Sequence, residues 1–185
     1  GTQQCASPVS RILAYSRAKA RALIPILQHE QTVLGGAIRA VVICDYEKTS
    51  AVSAELDHLL DDEAGGAIAA FRELLTDEDT DKLDPVLITG STVLVDDDLR
   101  PKLESAALQW LSLNKFSVEF VWQETEGFHI LSGKGADWCP RVYVEMITEL
   151  FQQGITHCLV GTRGLLGEGW DANKINVLID LTCVT

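Results

Sequence analysis

Short apolar runs rich in β-branched residues recur along this chain, each followed by a longer segment with helical spacing. The clearest are Ala40-Val41-Val42-Ile43-Cys44, Val86-Leu87-Ile88, Cys158-Leu159-Val160 and Val177-Leu178-Ile179. A strand that is apolar at every position is covered on both faces, and such strands belong to parallel sheets flanked by helices. Alternating strands and helices therefore predict an α/β fold with a mainly parallel sheet and helices on both faces.

The spacing predicts a helix over 10–31, with Ile12, Leu13, Ala20, Leu23, Ile24 and Leu27 on one face. Pro25 is expected to kink or split it. A strand follows over 39–44, then a helix capped by Thr49 or Ser50 with Leu56, Leu59 and Leu60 inward. Gly65-Gly66 is expected to interrupt that region before a second helix over 67–75. A strand over 85–90 precedes a helix over 101–113 with Leu103, Ala107, Leu108 and Leu111 on one side. Residues 116–122 and 128–131 read as two strands with no crossover helix, an insertion or an antiparallel edge. The best-marked helix spans 140–153. Pro140 suits its first turn, Val142, Met146, Ile147, Leu150 and Phe151 form its apolar face, and Gly154 stops it.

At 185 residues the chain is expected to form one domain over 9–185 behind a disordered leader at 1–8. Its 46% apolar and 23% charged residues are globular values. No apolar run approaches the ~20 residues of a membrane helix, and no signal-peptide pattern opens the chain. Five scattered cysteines without a Cys-x-x-Cys, and four scattered histidines, give no metal-ligand spacing. Cys44, Cys158 and Cys183 read as small buried hydrophobes, and the expected setting is reducing and cytoplasmic. The net charge of −12 opposes a generally nucleic-acid-coating surface. Much of the acidity falls in Asp61–Glu63, Asp77–Asp81 and Asp96–Asp98, which read as solvated loops.

Between the last two apolar runs lies a glycine-laden loop, with four glycines in the nine residues from Gly161 to Gly169. Such a loop at the carboxyl end of a strand suits ligand binding, and it equally suits a bare strand connection. Thr162, then Gly167-Glu168-Gly169-Trp170-Asp171, then Asn176-Val177-Leu178-Ile179-Asp180 resembles motif V of superfamily-two helicases. The run from Leu165 to Asp171 is closer to duplex-DNA translocases, such as type III restriction and excision-repair enzymes, than to DEAD-box proteins. The resemblance implies a second, C-terminal RecA-like domain of an ATP-dependent motor that acts on nucleic acid, DNA rather than RNA. ATP and Mg2+ would be held mainly by an N-terminal RecA-like domain of the same polypeptide, the domain's first partner.

On that resemblance Thr162 matches a nucleic-acid phosphate contact; Arg163 lies where the family is variable and is a candidate phosphate contact beside it. Gly169 and Asp171 match positions facing nucleotide across the interdomain cleft, with the carboxylate near the ribose; alternatively Asp171 only caps a turn. Glu168 carries no role. Residues 40–45 resemble motif IV, which would set Lys48, Thr49 and Ser50 at a helix start that attracts an anion. The plain alternative is an N-cap beside a solvent-facing lysine. The family also has a glycine after a strand, an arginine on the next helix and a Phe-x-x-Gly before motif V. Ser132-Gly133, Arg141 and Phe151–Gly154 fit that order, making Gly133 and Lys134 backbone-contact candidates; Gly90-Ser91-Thr92 with Arg100 fits its first half too.

Three family features are missing from this sequence. Five residues rather than four separate Gly127 from Gly133, and Gly135 stands where a P-loop needs Ser or Thr. No Asp-Glu-Ala-Asp or Asp-Glu-x-His box occurs, so no catalytic residue is assigned. No Gln-x-x-Gly-Arg-x-x-Arg helix precedes Thr185, so the expectation is a domain cut short before motif VI, inactive by itself. Outside this family, the same residues suit a nucleotide- or small-molecule-binding α/β domain, or a non-catalytic interaction module.

Overall fold

The computed structural model describes residues 8–44, 65–167 and 169–182. The expected leader apart from Pro8, the helix after Thr49, the anion site at Lys48, Thr49 and Ser50, and Glu168 lie outside the described residues. In chain order the elements are α1 (Pro8–Leu34), a 3-10 turn (Gly35–Ala37), β1 (Ala40–Cys44), α2 (Gly65–Thr76), α3 (Glu78–Asp81), β2 (Val86–Ile88) and β3 (Val93–Asp96). They continue with α4 (Arg100–Leu113), β4 (Glu119–Thr125), β5 (Phe128–Lys134), α5 (Pro140–Gln153), β6 (Cys158–Thr162), α6 (Arg163–Leu166) and β7 (Val177–Asp180).

All seven strands join one sheet in the order β4-β5-β3-β2-β6-β1-β7. The sheet is α/β as expected, but it is mixed rather than mainly parallel. β2, β6, β1 and β7 form a parallel block, while β3, β4 and β5 are joined by antiparallel pairings. The reason is the length of the connections. β2 and β3 are joined by a turn over 89–92, and β4 and β5 by Glu126-Gly127. Neither is long enough for the crossover that a parallel pair requires. β3 occupies a stretch to which the apolar pattern assigns no element; its three apolar residues run directly into acidic ones.

Side chains alternate across the sheet with period two. Ala40, Val42, Leu87, Leu94, Ile130 and Val160 enter one core with α1 and α2. Val41, Val86, Ile88, Val95, Leu131 and Leu159 enter the other with α4 and α5. Helices thus cover both faces, which is why the central strands read as continuous apolar runs. α5 buries all five predicted residues and adds Tyr143. Gly154, at φ 83°, ends it in the left-handed region that side chains avoid. On α4, Leu103, Ala107 and Leu111 are buried as expected, but Leu108 is 47% exposed and Trp110 takes its place inside. None of the described helices is long and apolar enough to cross a membrane.

α1 is not split at Pro25, α2 takes in Gly65 and Gly66, and one acidic run expected as a loop is helical. α1 opens at Pro8 and runs through Pro25 as one element. Pro25 is on the exposed side of the helix, while Leu23 and Leu27 are fully buried. The carbonyl left without a donor can therefore take water. Gly65-Gly66 form the first turn of α2, because burial of Ala67, Ile68, Phe71 and Leu74 outweighs glycine's poor propensity. The run Asp77–Asp81 is a capped helical turn: Asp77 accepts from the amides of Asp79 and Thr80, and the buried Thr80 hydroxyl donates to the Leu74 carbonyl at 2.7 Å.

Asp96 corrects the reading of the third acidic run as solvated. It ends β3 at 4% exposure. Burial first, then the nearby carboxylates of Asp81, Asp97 and Asp98, push its carboxyl up to about 7. An unperturbed aspartate titrates near ~4, so between about pH 4 and 7 the folded state keeps a proton that the unfolded state has lost. Stability therefore falls as pH rises through that window. Asp96→Asn should leave the melting temperature nearly unchanged at pH 4 and raise it at pH 8, by an amount capped at about 4 kcal/mol. Thermal unfolding at both pH values checks this; an equal effect at both would show that Asp96 does not carry the charge penalty.

A candidate site at the carboxyl edge of the sheet

β1, β2, β6 and β7 all end at one edge, and β5, antiparallel to β3, ends there too. Cys44 pairs with Thr162, and Ile88 with Gly161, across this edge. α2, which lies between β1 and β2 in the chain, packs on one face. α5, which leads into β6, and Leu166 and Ile175, which follow it, pack on the other. Adjacent strands whose connections take opposite faces leave a crevice beyond their carboxyl ends, the usual ligand position in open α/β sheets. Here the adjacent strands whose described neighbours in the chain take opposite faces are β1 and β6.

Thr162 closes β6 at this point. It is 6% exposed, and although it occupies the N-cap of α6 its hydroxyl makes no capping hydrogen bond. Arg163, the next residue, is exposed and turns along the edge toward β7. Its Nη2 lies 2.7 Å from the Thr182 hydroxyl and 3.4 Å from Asp180 Oδ2. The Thr182 hydroxyl and amide, and then Arg163, hold the Asp180 carboxyl below its ordinary value. Asp180 and Thr182 had no role in the sequence reading. Their signal was position alone, at and just past the end of an apolar strand.

Gly133 and Lys134 lie on the same edge but three strand spacings from Thr162, each about 4.8 Å. Lys134 pairs with Glu119 at 3.2 Å. A Cβ on Gly133 would stand 2.5 Å from the Trp138 indole, so this glycine makes room for Trp138. That indole donates to the Ser91 carbonyl at 3.1 Å, and the Tyr143 hydroxyl donates to the Thr89 carbonyl at 3.0 Å. Together they clamp the β2–β3 turn. Gly90-Ser91-Thr92, in the turn that follows β2, is one strand from β6, whereas Gly133 on β5 is three strands away. The two arginines separate differently: Arg141 starts α5 beyond the carboxyl end of β5, whereas Arg100 follows β3 at the opposite edge.

Gly169 and Asp171 are not gathered with Thr162. β7 runs parallel to β1 and starts beside Ala40, so the chain leaving β6 must return to the amino edge. It does so as an extended crossover along α5. The Trp170 indole donates to the Thr148 hydroxyl at 2.8 Å and the Asn173 amide to Gln152 Oε1 at 3.1 Å. Gly169 and Asp171 thus flank α5, beside Thr148 and Gln152.

The loop glycines have packing reasons of their own. A Cβ on Gly161 would meet Leu166 Cδ1 at 2.6 Å and Cγ at 2.8 Å, and one on Gly167 would meet the Arg163 carbonyl oxygen at 2.1 Å. Gly169 has open space around it but sits at φ 85°, in the left-handed region. Gly161→Ala should accordingly destabilise the fold by about 1–3 kcal/mol, and adding Leu166→Ala should restore part of that loss. Denaturant titration of the two variants checks it; a tolerated Gly161→Ala would show that β6 and α6 are not in close contact. Comparison with models of protein families, with curated proteins and with solved structures returns no match to this chain.

Proposed function

We propose that this chain is the second motor domain of an ATP-dependent superfamily-two DNA helicase or translocase. In this reading the carboxyl edge holds a nucleic-acid backbone, and a partner RecA-like domain of the same polypeptide holds most of ATP and Mg2+. The observation that carries it is Thr162. The residue that matches the family's phosphate contact stands at the carboxyl end of β6, opposite Cys44 of β1, with its hydroxyl uncommitted to the turn behind it. A hydroxyl with a neighbouring guanidinium is suitable chemistry for a phosphodiester oxygen. Among the described residues Arg163 is held by an exposed ion pair and one hydroxyl, partners that a phosphate can replace at little cost. The net charge of −12 does not oppose contact confined to one edge, because only the local charges meet the backbone.

Gly169 and Asp171 belong to the nucleotide-facing side of the same proposal. Their position along α5 makes them contributors only if the partner domain closes over that flank as well as over the edge. A nucleotide-binding domain acting alone is the competing function, and it requires turnover or nucleotide affinity without a second domain.

Two measurements on the 185-residue chain test the proposal. No ATP hydrolysis above background is expected, with or without duplex DNA, since neither a P-loop nor an arginine-bearing motif VI is in the sequence. Binding to labelled duplex at low salt should weaken about three- to tenfold in Thr162→Ala, with the melting temperature unchanged. Arg163→Ala should lower the salt slope by about one counterion. ATP turnover by the pure chain, or unaltered duplex binding in both variants, would contradict the assignment.

A further inference from the structure

On the flank away from the sheet edge, the end of α4, the outer stripe of α5 and the β6–β7 crossover enclose a groove of about 430 Å3. Its walls include Trp110 and Trp170, and its polar lining includes Glu145, Glu149, Asp171 and Asn114. No lysine or arginine lines it. Glu145, Thr148, Glu149 and Gln152 follow the i, i+3, i+4, i+7 spacing that sets side chains along one helix face. The crossover brings Asp171 to that stripe by anchoring Trp170 on Thr148.

We propose that this groove is a binding site for a primary alkylammonium ligand of the polyamine class. Three observations support that chemistry. First, none of the ion pairs among the described residues reaches Glu145, Glu149 or Asp171. Glu149 receives only the amides of Gln152 and Gln153, at 3.4 and 3.1 Å. Three carboxylates share one concavity without a balancing cation among the described residues, and an ammonium group offers three donors to such a set.

Second, the aromatic walls are held in place. The indole N–H of Trp170 is spent on Thr148, so its ring is what remains for contact. Trp110 is 9% exposed and stacked on Phe116 with centroids 5.7 Å apart. Indole faces attract cations, and aromatic walls also suit the methylene chain between the charges of a polyamine. Third, the Asn114 amide nitrogen donates to the Trp110 carbonyl at 2.9 Å, which leaves its own carbonyl oxygen as a further acceptor. The volume lies within the usual span for small-molecule clefts, roughly 300–1,000 Å3. A metal ion would suit the site less: no described group of His, Cys, Asp and Glu has the arrangement to hold one.

The site is independent of the carboxyl edge, so its test does not depend on the helicase reading. Spermidine is titrated into the 185-residue chain by calorimetry at low salt, alongside a capped lysine tripeptide and magnesium chloride at matched ionic strength. Saturable one-to-one spermidine binding is expected. It should weaken about tenfold in Glu145→Gln/Glu149→Gln with an unchanged melting temperature, and severalfold in Trp170→Phe, whose melting temperature falls slightly because the bond to Thr148 is lost. Comparable or tighter binding of the tripeptide, with the same variant pattern, would uphold the ammonium site and give its source as a protein lysine. Failure of both probes to saturate, reproduction of the heat by magnesium chloride, or indifference to both variants would overturn the proposal.

Discussion

The pairing of β1 with β6 is the constraint on which the rest of the structure depends. Both strands are covered on both faces, so their amides and carbonyls have the sheet as their recourse and no water to fall back on. Five register pairs, from Ala40 with Cys158 to Cys44 with Thr162, meet that demand. β2 and β7 complete it on the two outer sides. Once β1 and β6 lie side by side, Thr162 stands at the carboxyl edge of the sheet opposite Cys44. The candidate site is thus a consequence of the pairing and needs no dedicated loop to build it.

The antiparallel wing is a separate solution to a separate problem. Two hairpins extend the block on one side, and Trp138 and Tyr143 lock the first of them through carbonyls of the 89–92 turn. Trp138 also needs a glycine at position 133, so a residue that reads as a ligand contact is equally a packing requirement. Gly161 and Gly167 follow the same pattern.

Long elements with strong periodicity were legible from sequence. β1, β6 and α5 fall where their apolar patterns put them, because burial on one or both faces is written directly into residue type. What could not be read depended on tertiary context. Pro25 is harmless because its side of α1 faces water, Gly65-Gly66 start a helix because the residues after them are buried, and Asp96 is buried because β3 carries it into the sheet. No local pattern announces any of these. The site divides in the same way. Thr162 and Arg163 are at a strand end recognisable by its glycine loop, whereas Asp180 meets Arg163 only because β7 lies beyond β1. The placement of Gly169 and Asp171 along α5 follows from strand order, which spacing within a loop does not encode. The Trp110–Trp170 groove also escaped sequence reading, since it unites α4, α5 and a crossover.

The central claim is that the carboxyl edge around Thr162 meets a nucleic-acid backbone. The most direct test is an amide chemical-shift map of the isotope-labelled chain titrated with a short DNA duplex. The account predicts saturable shifts concentrated at 161–165 and 180–182, with smaller changes at 133–134 and none along α1. Shifts spread over the surface in proportion to salt alone, or centred on the opposite edge beside Arg39 and Ala40, would contradict it.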